Sequence, residues 1–122
     1  MIKQADGVYS EETVNCNAAT DPVFSAAYCD VPLTVLRASP YSLTLGTLVQ
    51  AKVKATNVIG DSAFSQENTA GATIETEPGV VNTLEMNILT STNEQVVLEW
   101  ALLSTLAETG GSTILNYVIR WN

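Results

Sequence analysis

VQAKVKATNVIGDSAFS, positions 49–65, decides how the rest of the chain is read. Val49, Ala51, Val53 and Ala55 alternate with Gln50, Lys52, Lys54 and Thr56, the period of two that puts one face of a strand in a core and the other in water. Val53 and Ala55 are therefore core candidates, while Lys52 and Lys54 belong to a solvated face. The run stops at Asn57. Gly60, Asp61 and Ser62 tolerate positive φ or bond their own backbone, so a reversal is predicted there, with a second strand behind it.

Composition sets the bounds around that strand. A chain of 122 residues with 46% hydrophobic content is long enough for a core. Thirteen acidic against five basic residues give a net charge of −8, which argues against nucleic acid as a partner, because phosphate backbones are bound by Lys and Arg. No apolar run approaches the ~20 residues of a membrane span, so no membrane insertion is expected. The N-terminus has no charged-then-apolar leader pattern, and the expectation is an internal piece of a secreted protein.

Chemistry is sparse. No histidine is present for general-base work, and no Gly-x-Ser-x-Gly, phosphate loop or metal-protease helix occurs, so neither an enzyme nor a cofactor is expected. Asp6, Glu11 and Glu12 form the densest acidic cluster; a carboxylate pair can hydrolyse sugars, but a solvated hairpin is the plainer reading. The same residues, with Asp21 and Asp30, are the candidate oxygen ligands for calcium, without EF-hand spacing. Two cysteines with no histidine make a zinc site improbable, and no metal centre is assigned beyond that calcium alternative. Cys16 and Cys29 lie in a loop-like stretch and are either a disulfide, worth roughly 3 kcal/mol in the chain-entropy picture, or two free thiols. No Asn-x-Ser/Thr sequon is present to decide the compartment.

In chain order, residues 1–15 read as strand, turn and strand with the reversal at Ala5, Asp6 and Gly7. Pro32 argues against a central strand in VPLTVL and favours an edge or connecting segment. Ser39, Pro40 and Tyr41 make a break, and Leu43 and Leu45 lead into Gly46 and Thr47. Ala72 and Ile74 end a strand before Glu77, Pro78 and Gly79. Beyond it, Val96, Leu98 and Trp100 share one face, and Tyr117, Ile119 and Trp121 recur at a spacing of two. Leu102 to Leu106 is read as a loop ahead of Gly110 and Gly111. Trp100, Tyr117 and Trp121 are core candidates rather than a ligand platform.

The alternating strand followed by Asn57, Gly60, Ser62 and Ser65 resembles the penultimate strand and last turn of a fibronectin type III domain. Leu45, Gly46 and Thr47 fit the approach to that strand, although Val49 stands where the family places an anchoring tyrosine. Trp100, the Gly110, Gly111, Ser112 and Ile114 turn, and Tyr117-x-Ile119-x-Trp121 are similar to the second and third strands of the same family. The Cys loop, the Pro-Leu-x-x-Leu run and Asn68-Thr69-Ala70-Gly71-Ala72 look most like tandem repeats of large ciliate surface proteins. The resemblance implies an all-β, immunoglobulin-like sandwich and a structural or adhesive repeat of an extracellular or cell-surface protein, with neighbouring repeats or copies of the chain as partners. A ligand- or calcium-binding module is the alternative.

The pieces come in displaced order. Residues 1–77 resemble the third to seventh strands, 78–83 a linker, and 84–122 the first three strands of a following unit. Residues 118–122 resemble residues 1–5, as if the chain covered one repeat period. An incomplete sandwich exposes an apolar face that seeks a partner. Threading back across roughly 30 Å needs about nine extended residues at ~3.3 Å each, more than residues 76–83 supply, so completion by a neighbouring copy is expected.

Overall fold

The computed structural model describes residues 1–17 and 23–121. The chain divides into two units, Met1–Ile74 and Glu75–Asn122. Its regular elements are short antiparallel strand pairs and single helical turns, compatible with a mostly β fold.

In the first unit, β1 (Ile2–Lys3) pairs with β2 (Tyr9–Ser10), Ile2 opposite Ser10 and Lys3 opposite Tyr9. The chain reverses at residues 5–7, where Gly7 takes φ 88° and Asp6 Oδ1 accepts the Val8 N–H at 3.0 Å. β1 also lies antiparallel to the alternating segment: Ile2 faces Ala51, Lys3 N donates to Gln50 O, and Lys52 N donates to Met1 O, both at 2.9 Å. On the other side of that segment runs the chain from Ser62 to Ile74. There Ser65 N donates to Val53 O at 2.8 Å and Val49 N to Ala72 O at 2.9 Å.

The reversal between these two segments comes earlier than Gly60, Asp61 and Ser62. β3 (Thr56–Asn57) pairs with β4 (Gly60–Asp61) around Val58 and Ile59. Asn57 is the cause: its Oδ1 accepts from Ile59 N at 2.9 Å and Gly60 N at 3.2 Å, closing the turn on itself. Gly60 then follows at φ 154°, where a side chain is strained.

Two helical turns interrupt the chain between β2 and β3, α1 (Val23–Ala26) and α2 (Leu33–Arg37). An edge or connecting segment was the expectation for VPLTVL. Pro32, at φ −58°, starts a helix instead, its carbonyl accepting from Val35 N and Leu36 N at 3.0 and 3.3 Å. Leu36 is then buried beside Ile2, Tyr41, Leu43 and Ile74, with Val31, Val35, Val49 and Ala51 packed against them. Burial of Leu36 outweighs the strand preference of Thr34 and Val35.

The second unit has β5 (Leu84–Met86) antiparallel to β6 (Leu98–Trp100), with Leu84 opposite Trp100, Glu85 opposite Glu99 and Met86 opposite Leu98. α3 (Leu106–Thr109) follows and begins at Leu106, the last residue of the stretch read as a loop. Its start is a capping box: Thr105 Oγ1 accepts from Glu108 N at 3.2 Å, and Glu108 Oε2 accepts from Thr105 N at 2.9 Å. Its end is Gly110 in the left-handed region. Residues 76–79, read as a strand end and the start of a linker, are tied here: Thr76 N donates to Gly110 O and Gly79 N to Glu108 O, both at 2.8 Å. The Tyr117, Ile119 and Trp121 stretch forms no strand among the described residues.

Candidate functional site

The alternating strand presents two different faces. On the apolar face, Val49 and Ala51 are half-buried against the core, whereas Val53 is 70% exposed and Ala55 is exposed. Both were expected inside. Burial stops after Ala51 because the core side chains Ile2, Leu36, Tyr41, Leu43 and Ile74 gather at the other end of the segment.

The opposite face carries three of the chain's five cations. Lys52 Nζ sits 4.5 Å from the Tyr9 ring centroid, Lys3 Nζ 5.9 Å from the same ring, and Lys54 Nζ 5.7 Å from the Phe64 ring. Lys3 also meets Glu67 at 3.4 Å, and Lys54 pairs with Asp61. The Tyr9 hydroxyl donates to Glu67, and this bond pushes the phenol up to about 12 while holding the Glu67 carboxyl low. Each of these three lysines has an aromatic ring beside it, and two of them, Lys3 and Lys54, also have a carboxylate partner.

The acidic cluster of the first hairpin separates into unlike parts. Asp6 is exposed and engaged in its turn, and Glu11 is exposed. Glu12 is buried, contrary to a solvated hairpin. Its Oε1 accepts from Asn15 N at 2.8 Å and Val14 N at 2.9 Å, and its Oε2 from the Tyr41 hydroxyl at 3.0 Å. These bonds, the Asn15 N–H foremost, hold the carboxyl below its usual range. Burial, with the Glu12 bond, pushes Tyr41 up to about 12. Glu12 is thus a fixed anion that organises backbone, and its oxygens are already engaged. Among the described residues no group of three or more His, Cys, Asp or Glu can hold a metal ion. Asp30 is exposed, and Asp21 lies outside the described residues. Cys16 and Cys29 are joined as a disulfide, Cα to Cα 5.3 Å.

In the second unit, Leu84 and Trp100, paired across β5 and β6, border a groove of about 490 Å³ whose lining also includes Arg120. Leu84, Trp100, Leu103, Ile114, Tyr117 and Ile119 are among its lining residues. The Trp100 and Tyr117 rings meet at 5.7 Å and 51°, a tilted pair, and the Tyr117 hydroxyl accepts the Leu103 N–H at 3.1 Å. Both residues are half-buried, whereas Trp121 is 83% exposed. Trp100 Nε1 is buried and meets no acceptor among the described residues. Leu84 and Met86 are more than half exposed.

Tyr41 escaped the sequence reading, which treated it only as part of a break. No local signal marks it, since its partner Glu12 lies 29 positions away. The Thr105-x-x-Glu108 spacing, in contrast, is a legible capping signature ahead of α3. No helix among the described residues is long and apolar enough to cross a membrane. No protein-family model matches the chain, and neither a curated protein nor a solved structure matches it.

Proposed function

We propose that the chain is a non-catalytic structural or adhesive repeat module of an extracellular, multi-domain protein. In this reading it is built as an immunoglobulin-like β-sandwich of fibronectin type III type that its neighbours complete. One observation carries the reading: each unit leaves large apolar side chains open along extended chain, Val53 at 70% exposure in the first, Leu84 at 59% and Met86 at 54% in the second. Faces of this kind on a folded chain mark surfaces that meet another polypeptide. The disulfide supports an oxidising compartment, where such bonds persist. Carboxylates engaged in turns, and cations laid against rings, support a scaffold over a reactive centre.

Two copies joined in one chain test this. The midpoint of thermal unfolding should rise by several degrees over the single copy, because the second half of one copy and the first half of the next lie in repeat order. An unchanged midpoint would count against a repeat module.

A further inference from the structure

Residues 113–121 are extended chain that nothing pairs. They contain no helical turn, bend or positive φ, and among the described residues their peptide groups make no hydrogen bond. Such a stretch carries a ladder of free donors and acceptors, the template to which a further strand adds. The groove of about 490 Å³ runs along it. Asn116, Tyr117, Val118, Ile119 and Arg120 all line that groove, although successive side chains of an extended chain point to opposite faces. A cavity that meets both parities borders the edge of the chain, where its N–H and C=O groups are.

The lining holds one charge. Arg120 is the only cation in residues 75–122, which carry six glutamates, yet among the described residues it forms no ion pair. None of the six lines the groove, and Glu85 and Glu99 project from the side of β5 and β6 opposite to Leu84 and Trp100. Trp100, also in the lining, keeps Nε1 buried without an acceptor among the described residues, which native structures rarely tolerate.

We infer that the edge of residues 114–120 is a strand-addition site for an extended peptide, apolar at alternate positions and carrying a glutamate or aspartate side chain opposite Arg120. From Ile114 to Arg120 is about 20 Å at ~3.3 Å per residue, the length of an ordinary strand. Main-chain bonds along that length supply affinity, and alternate side chains entering the groove supply selection. The carboxylate fixes the register, because opposite charges across a ladder attract and like charges destabilise it. Antiparallel addition, the sense of every strand pair among the described residues, puts the acid near the peptide's amino end. The inference concerns the second unit alone and goes beyond the repeat-module proposal, holding whether or not copies stand in tandem.

The test titrates a seven-residue peptide of alternating valine and threonine, blocked at both ends and with glutamate second, into the oxidised full chain. Trp121→Phe leaves Trp100 as the one fluorescent indole. Its emission should change saturably at peptide concentrations up to about 1 mM. Amide exchange should slow at every second residue between 114 and 120, because only alternate N–H groups point to an added strand. The parent should prefer this peptide to its lysine counterpart by about fivefold, and Arg120→Glu should reverse the preference. That side chain is exposed, so the variant should fold, as circular dichroism checks. A peptide with proline at alternate positions cannot join the ladder and should not bind. No saturable change, or equal binding of the proline peptide, overturns strand addition. Exchange slowed at consecutive residues, or only outside 114–120, overturns this edge, and affinities indifferent to the charge swap overturn the carboxylate. A molar mass that rises with concentration without peptide, accompanied by the same Trp100 change, makes a second copy the occupant and overturns the peptide.

Discussion

Tyr41 and Glu12 form a hydrogen-bonded pair in the first unit that responds to both acid and alkali. The carboxyl of Glu12 sits below its ordinary 4.5, so an unfolded chain takes up that proton first. The stabilisation is therefore whole above about pH 4.5 and is lost as pH falls through the depressed value. Tyr41 runs the other way: raised from 10.0 to about 12, it contributes below pH 10 and loses that contribution as pH climbs toward 12. Glu12→Gln should flatten the acid limb of a stability profile measured by chemical denaturation at stepped pH. Tyr41→Phe should cost ~2 kcal/mol at neutral pH, the worth of one hydrogen bond to a charged partner, since the ring's packing is retained. Such a pair is invisible to periodicity, because each member looks like an ordinary surface residue until the chain closes over it.

At the level of elements, the end of α3 has little room for change. A Cβ on Gly110 would overlap the Thr76 carbonyl oxygen and come within 2.7 Å of that of Glu77, at a φ of 68° that side chains rarely adopt. Gly110→Ala should therefore detach residues 76–79, and amide exchange at Thr76 and Gly79 should speed by about tenfold or more, since the strain exceeds ~1.4 kcal/mol. The elements also show what the residues disclosed in advance. The turn at Asp6 and Gly7 was legible because its chemistry is local, as was the half-buried alternation of Val49 and Ala51. α2 was not, because Pro32 can open a helix as readily as it can spoil a strand, and only Leu36 meeting the core decides between them. Val53 was misplaced for a related reason: a period of two says which residues share a face and nothing about how far the cover extends.

For the whole molecule, the disulfide is the strongest single constraint that the sequence announces. The bond spans 13 positions, and reducing it should lower the first unit's unfolding free energy by ~3 kcal/mol, seen as an earlier denaturant midpoint with reductant present. The open apolar faces raise a different question, which is why a chain so exposed would not gel. Part of the answer lies beside the alternating strand. Ser62 Oγ accepts from Ala55 N at 3.0 Å, Ser65 Oγ from Val53 N at 3.1 Å, and Asn68 Oδ1 from Ala51 N at 2.8 Å. Three residues on one side answer every two on the other, so side chains take the place of peptide groups and the outer border of the sheet is crooked throughout. A crooked border is a poor template for a growing fibril, which needs a straight ladder of free N–H and C=O groups. Concentrated solutions should therefore thicken through reversible contacts between faces, staying clear of amyloid dyes, and dilution should return them to small species.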